Sequence, residues 1–76
     1  MEIAPNITID PNIHHGAPVI TGTRVPASIV IGSLAGGMSF EEVMQEYELT
    51  KTQVLAALAY AAELVAQTSA MPLAGV

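Results

Sequence analysis

The stretch Gly36-Gly37-Met38-Ser39-Phe40-Glu41-Glu42-Val43-Met44-Gln45-Glu46-Tyr47-Glu48-Leu49-Thr50-Lys51-Thr52-Gln53-Val54 decides the fold. Ser39 followed three residues later by Glu42 is a capping box, in which the Ser39 hydroxyl accepts the Glu42 N–H and the Glu42 carboxylate accepts the Ser39 N–H. Met38 and Val43 stand at the spacing of the hydrophobic staple that accompanies such a cap. Thr50 and Gln53 repeat the arrangement, with Leu49 and Val54 as the second staple. Two helix starts are thereby fixed, and Gly36-Gly37 supplies a left-handed stop for the helix before them. Between the caps, Phe40, Val43, Met44 and Tyr47 form a stripe to be buried, while Glu41, Glu42, Gln45 and Glu46 are left to solvent. The second helix is about two turns long on this reading.

Upstream of the stop, Pro26 suits the first helical position, where its missing N–H has no intrahelical partner. Ala27, Val30, Ile31, Leu34 and Ala35 then recur at helical spacing and predict the first helix. Before it the pattern is β-like: Ile7 and Ile9 share one side of an alternation closed by Asp10-Pro11-Asn12. A second run, Pro18-Val19-Ile20-Thr21, lies between Gly16 and Gly22, with Pro18 restricting it to a strand start or edge. The two runs are able to pair as a small ribbon, within the chain or across a dimer. Downstream of Thr50 a third helix extends from Lys51 to about Gln67. It is apolar nearly all round between Val54 and Ala62, which predicts a helix sandwiched on both sides. Thr68-Ser69 and Pro72 end it, and the small uncharged tail is expected to be loosely ordered.

The fold class is therefore mainly α: a three-helix bundle of helix-turn-helix type with a short N-terminal β arm or hairpin. Residues 1–25 form the arm, 26–67 the helical domain and 68–76 a flexible tail. A two-turn helix, a short turn and a longer helix opening on Thr-Lys-Thr-Gln is the organisation of a helix-turn-helix.

Size and composition add a demand for a partner. A chain of 76 residues buries only roughly 60% of the surface its unfolded form exposes. With no Cys in the sequence, disulfides and thiolate metal sites are unavailable, which leaves association. Hydrophobic residues make up 51% of the chain and charged residues 12%, against about 25% charged in an ordinary domain. So much uncharged surface is better covered by another protein than by water, and a homodimer is expected. The longest uncharged stretch, Val25 to Phe40, is interrupted by Pro26, Gly32, Gly36 and Gly37 and is shorter than the roughly 20 residues a membrane span needs. The opening Met1-Glu2-Ile3-Ala4-Pro5 lacks the basic region and apolar run of a secretory signal, so a cytoplasmic location is expected.

Charge limits the dealings with nucleic acid. The net charge is -5, and Arg24 and Lys51 are the only permanently basic side chains. The candidate DNA contacts are Arg24, beside a tight Gly-Thr turn, and Thr50, Lys51, Thr52 and Gln53, where a recognition helix meets base edges and phosphates. Each has a structural alternative: Arg24 pairing with Asp10 or with arm carbonyls, Thr50 and Gln53 serving only as a cap. One Arg and one Lys per chain give a dimer about four phosphate contacts, against the 6 to 10 of strongly salt-dependent binders, so any DNA binding is weak. Candidate protein-binding residues are the acidic Glu41, Glu42 and Glu46 and, on the third helix, Leu58, Tyr60, Leu64 and Val65. His14-His15 on an extended segment point to opposite faces, and no other strong ligand lies near them in sequence, so no metal or other cofactor is expected. No nucleophile elbow, phosphate loop or Cys suggests catalysis.

These residues resemble a short bacterial family catalogued as domain of unknown function 433. The resemblance is carried by Ile9-Asp10-Pro11, Gly16 with Pro18-Val19-Ile20, Gly22-Thr23-Arg24-Val25-Pro26, the Leu34 to Gly37 helix end, Ser39-Phe40-Glu41-Glu42-Val43, and Leu49-Thr50 followed by Val54, Ala57-Leu58 and Tyr60-Ala61. The Gly-Thr-Arg-Val-Pro string is its most specific part. The resemblance implies a homeodomain-like helical fold with a β arm and the role of antitoxin beside a PIN-type ribonuclease toxin. His14-His15, where the family commonly has a small residue or Cys, and the scarcity of basic residues depart from its pattern. The expected function is an antitoxin-like protein-binding module with at most weak autoregulatory DNA binding. An autonomous helix-turn-helix regulator and a structural subunit of another assembly are the alternatives.

Overall fold

The structure, a computed structural model, describes residues 1–68. Strands β1 (Glu2–Ala4), β2 (Ile7–Thr8) and β3 (Val19–Ile20) are followed by helices α1 (Ala27–Ala35), α2 (Phe40–Tyr47) and α3 (Lys51–Thr68). The expected tail, 68–76, lies outside the described residues save Thr68, which closes α3.

The ribbon forms within the chain. β2 pairs antiparallel with β3, Ile7 opposite Ile20 and Thr8 opposite Val19. The sequence reading lacked β1, which adds a third strand to β2 with an irregular register between Glu2 and Ala4. Its Glu-Ile-Ala run shows no clear alternation; the strand exists because β2 offers backbone groups on its second edge. Asn6 turns the chain with φ 62, and its N–H donates to the Glu2 carboxylate at 3.1 Å.

The segment 13–17 corrects an expectation. His14 and His15 are not extended: both have positive φ, at 49 and 56, ahead of Gly16 at 86. A short 3-10 turn results, closed by Gly16 N–H to Ile13 O at 3.0 Å and Ala17 N–H to His14 O at 3.1 Å. Left-handed backbone disfavours an L residue, so two in succession need outside support. His14 has it, through a 2.9 Å hydrogen bond between its Nε2 and the Arg24 carbonyl.

From β3 the chain enters α1 through a turn held by Thr23, whose hydroxyl donates to Ile20 O at 2.8 Å and accepts the Val25 N–H at 3.0 Å. Pro26 is the N-cap, extended at ψ 138, and not the first helical residue. Gly37, with φ 105, closes α1: Gly37 N–H donates to Leu34 O and Met38 N–H to Ser33 O, both at 3.1 Å, the paired bonds of a Schellman motif. Because the chain reverses there, Ala35 is exposed and drops out of the expected stripe. Ser33 is engaged instead, its hydroxyl 2.9 Å from the Tyr47 hydroxyl, which ties α1 to α2.

Both capping boxes are present. Ser39 N–H meets Glu42 Oε1 at 2.8 Å and Glu42 N–H meets Ser39 Oγ at 3.1 Å; Thr50 N–H meets Gln53 Oε1 at 2.8 Å and Gln53 N–H meets Thr50 Oγ1 at 3.2 Å. Between α2 and α3 lie only Glu48, Leu49 and Thr50, with Glu48 left-handed at φ 54. One core joins all elements: Ile7 and Ile20 from the sheet, Ala27 and Val30 from α1, Val43 from α2, Leu49 from the turn, Val54 and Ala57 from α3. Each fully buried Val or Ile side chain here contributes roughly 1.5–3 kcal/mol.

α3 departs most from expectation. Within one chain it is not sandwiched: Val54 and Ala57 are its only buried residues, and from Ala62 onward every described residue is exposed. The second half projects past the core that the first half completes. Among the described residues no helix is long and apolar enough to cross a membrane.

Candidate protein-binding surfaces

α2 and the start of α3 form a groove lined by Phe40, Glu41, Met44, Lys51 and Leu55. The two caps set its walls by fixing where each helix begins. Phe40 and Met44 are half-buried against the core, and Leu55, the residue after the buried Val54, is 46% exposed. An apolar floor is thus rimmed by one carboxylate and one ammonium. On α2 and its C-cap, Glu41, Glu42, Glu46 and Glu48 are all exposed and make up four of the seven carboxylates in the chain. Glu41 and Glu42 lie in the first turn of α2, where the helix dipole favours them. Lys51 occupies the first residue of α3, where the dipole disfavours a cation.

Tyr60 separates two further clefts. On one side Ile3, Ala4 and Pro5 of the β1 hairpin face Ala56, Ala59 and Glu63 of α3. On the other, a notch is lined by Pro18, Ala27, Ser28, Ile31, Ala61 and Leu64. Leu64 and Val65 stand 44% and 67% exposed, whereas Leu58 is half-buried and lines none of these surfaces.

The candidate residues therefore divide. Glu41 and Lys51, first considered for different partners, share one groove; Tyr60 and Leu64 share another surface. Thr50 and Gln53 each spend a side-chain oxygen on the cap, and Thr52 is exposed beside them. Arg24 is exposed, and its guanidinium meets neither Asp10 nor an arm carbonyl among the described residues. Asp10 instead accepts the Asn12 N–H at 2.8 Å, and the tie at Arg24 is made by its backbone carbonyl to His14. Not legible as surface residues were Leu55, whose signal is a leucine one residue past the inward Val54, Ile31, which reads only as part of the α1 stripe, and Ser28, which gives no signal.

A family model described as "Protein of unknown function (DUF433)" matches residues 7–61. A Mycobacterium tuberculosis protein named "Putative antitoxin VapB45" is 36% identical over 53 residues, which is 70% of this chain and 22% of that protein. A crystal structure of Rv2018 from Mycobacterium tuberculosis superposes with a TM-score of 0.64 at 36% identity, covering 70% of this chain and 25% of that one. The chain thus corresponds to a minor part of the length of each relative. The family match runs from β2 through both capping boxes to Ala61, and on that extent the chain belongs to the DUF433 family.

Proposed function

We propose that the chain is a non-catalytic, antitoxin-like binding module that works as a homodimer and neutralises a PIN-type ribonuclease toxin. The observation that carries this reading is the apolar groove between α2 and α3, lined by Phe40, Met44 and Leu55 with Glu41 and Lys51 at its edge, together with the exposed Glu42, Glu46 and Glu48 on and just after α2. The relative named as an antitoxin supports a toxin as the partner, and the PIN-type ribonuclease is what the family resemblance implies. A ribonuclease holds a polyanion and so presents basic surface, which Glu41, Glu46 and Glu48 complement while Phe40, Met44 and Leu55 receive an apolar side chain. Glu48 supports the same view: a Gly adopts its left-handed backbone at less cost, yet the position carries a charge. Glu41 beside Lys51 also leaves this helix start poorly suited to phosphate, since an anion approaching the ammonium meets a carboxylate. DNA contact is correspondingly the minor activity.

The test is capture of partners by the full chain from its native host, followed by binding to the captured protein. A basic PIN-type nuclease is expected, with its RNA cleavage suppressed in the complex. Glu41→Lys combined with Glu46→Lys is expected to weaken the complex about 10-fold or more. Undiminished binding by that double variant, or a captured protein that is no nuclease, rejects the reading. In a salt titration on operator DNA, a log-log slope of about -8 or steeper replaces it with the autonomous regulator.

A further inference from the structure

We propose that the second half of α3 and the notch beside it form a self-complementary seam for a second copy of this chain, on the face away from the α2–α3 groove. The inference deepens the binding-module reading and rests on it for the expectation of a dimer; the seam itself is argued from α3.

Val54, Ala57, Ala61, Leu64 and Thr68 follow one another in alternating steps of three and four. That is the spacing at which one helix presents a continuous seam to another. Val54 and Ala57 are fully buried, Ala61 is half-buried, and Leu64 is 44% exposed. The chain covers the front of the seam and leaves its back bare. A surface at helix-pairing spacing asks for a helix.

Charge selects which helix. Pro18, Ala27, Ser28, Ile31, Tyr60, Ala61 and Leu64, which line the notch, are all uncharged. Glu63, the sole charged residue between Lys51 and Thr68, lines the cleft on the other side of Tyr60. Two chains of net charge -5 repel elsewhere, but here they meet without opposing carboxylates. A basic partner finds no carboxylate in this notch, whereas Glu41 lines the α2 groove and Glu42, Glu46 and Glu48 stand exposed on and after α2.

Shape selects a two-fold pair. Leu64 and Val65 are exposed and Leu64 itself lines the notch, so one copy's Leu64 enters the other's notch and the reverse, as an isologous contact requires. The two side chains alone fall well short of the about 800 Å² per partner of a standard stable interface, so the notch must be filled.

The test is sedimentation of the full chain across a wide concentration range. The native chain is expected to dimerise. Leu64→Lys and Ser28→Glu are each expected to raise the dimer dissociation constant at least about 100-fold, by burying an unpaired charge. Both residues are exposed, and each charge suits its helix: an acid in the first turn of α1, a base toward the end of α3. Loss of association with an unchanged circular dichroism spectrum is therefore not unfolding. An equimolar mixture of the two variants is expected to recover the dimer, because the new Lys of one chain meets the new Glu of the other. A native chain that stays monomeric, a single variant that dimerises like the native chain, or a mixture that fails to recover overturns the seam. Capture of the nuclease by monomeric Leu64→Lys upholds the binding reading independently, since the α2 groove is untouched; its failure there while the mixture recovers would leave the seam standing alone.

Discussion

Within α3, Val54 and Ala57 are fully buried among β strands and two other helices, while Leu64 and Val65, on the same helix, stand 44% and 67% exposed. Both halves are rich in Ala, Leu and Val and both keep the same seam spacing. What separates them is coverage. α1, α2 and the sheet fully bury residues only in the first half, so the helix passes from core element to overhang without any change of alphabet. An apolar helix face states that something covers it and leaves open whether the cover is the same chain.

The sharpest probe makes one substitution in both halves. Val54→Ala removes two methyl groups from a residue with no exposure and is expected to cost about 2 kcal/mol, the transfer loss plus the cavity left behind. Val65→Ala removes the same atoms from a residue 67% exposed. In dilute, monomeric protein it is expected to change stability by less than about 0.5 kcal/mol, since Ala is also the better helix former. Urea unfolding of the two variants at low micromolar concentration reads the difference. Equal losses would mean that the second half is packed within the single chain, and the distinction would collapse.

A smaller effect separates what starts the helix from what holds it. Thr50→Ala removes the hydroxyl that accepts the Gln53 N–H and is expected to cost about 1 kcal/mol. Ser39→Ala, which removes the equivalent acceptor for Glu42, is expected to cost a similar amount. Because the caps act only on the first turns, hydrogen exchange should rise at residues 51–54 in the first variant and stay unchanged past Ala61. Protection lost along all of α3 would show that the overhang depends on the cap and not on its own propensity.

The same division explains how much was legible beforehand. Both caps, the Gly37 stop and the amphipathic α2 were readable because each rests on bonds closed within a few residues. Pairing of β2 with β3 was foreseen, but whether inside or between chains was not, since two short strands carry no such label. β1 was missed because β2, not its own pattern, makes it a strand. His14 and His15 were misread as extended because their left-handed turn is held by the distant Arg24 carbonyl. Within the surfaces, acidic residues on α2 were identifiable from the capping pattern, whereas Leu55, Ser28 and Ile31 acquire a role only through neighbours from other elements. What covers both sides of α3 was not legible for the same reason at larger scale: periodicity counts apolar positions and cannot see where the rest of the chain stops.

The smallest expected effects lie at the two ends of α3. The helix has no acid in its first turn and no base in its last, and Lys51 opens it, so its dipole is unmatched at both termini. Gln67→Lys places a cation near the C-terminal carbonyls and is expected to add about 0.3–1 kcal/mol at low ionic strength, fading at high salt. Lys51→Glu acts by the same mechanism at the other end and is expected to add less, because the new carboxylate shares the α2–α3 groove with Glu41. The two respond differently to context: the N-terminal end is anchored by the Thr50 cap and by Val54 in the core, whereas the C-terminal end holds only if the overhang is helical by itself in water. Thermal melts at low and high salt decide it. A gain from Lys51→Glu with none from Gln67→Lys would mean that the free chain frays beyond Ala61 and that the seam forms its helix only when occupied.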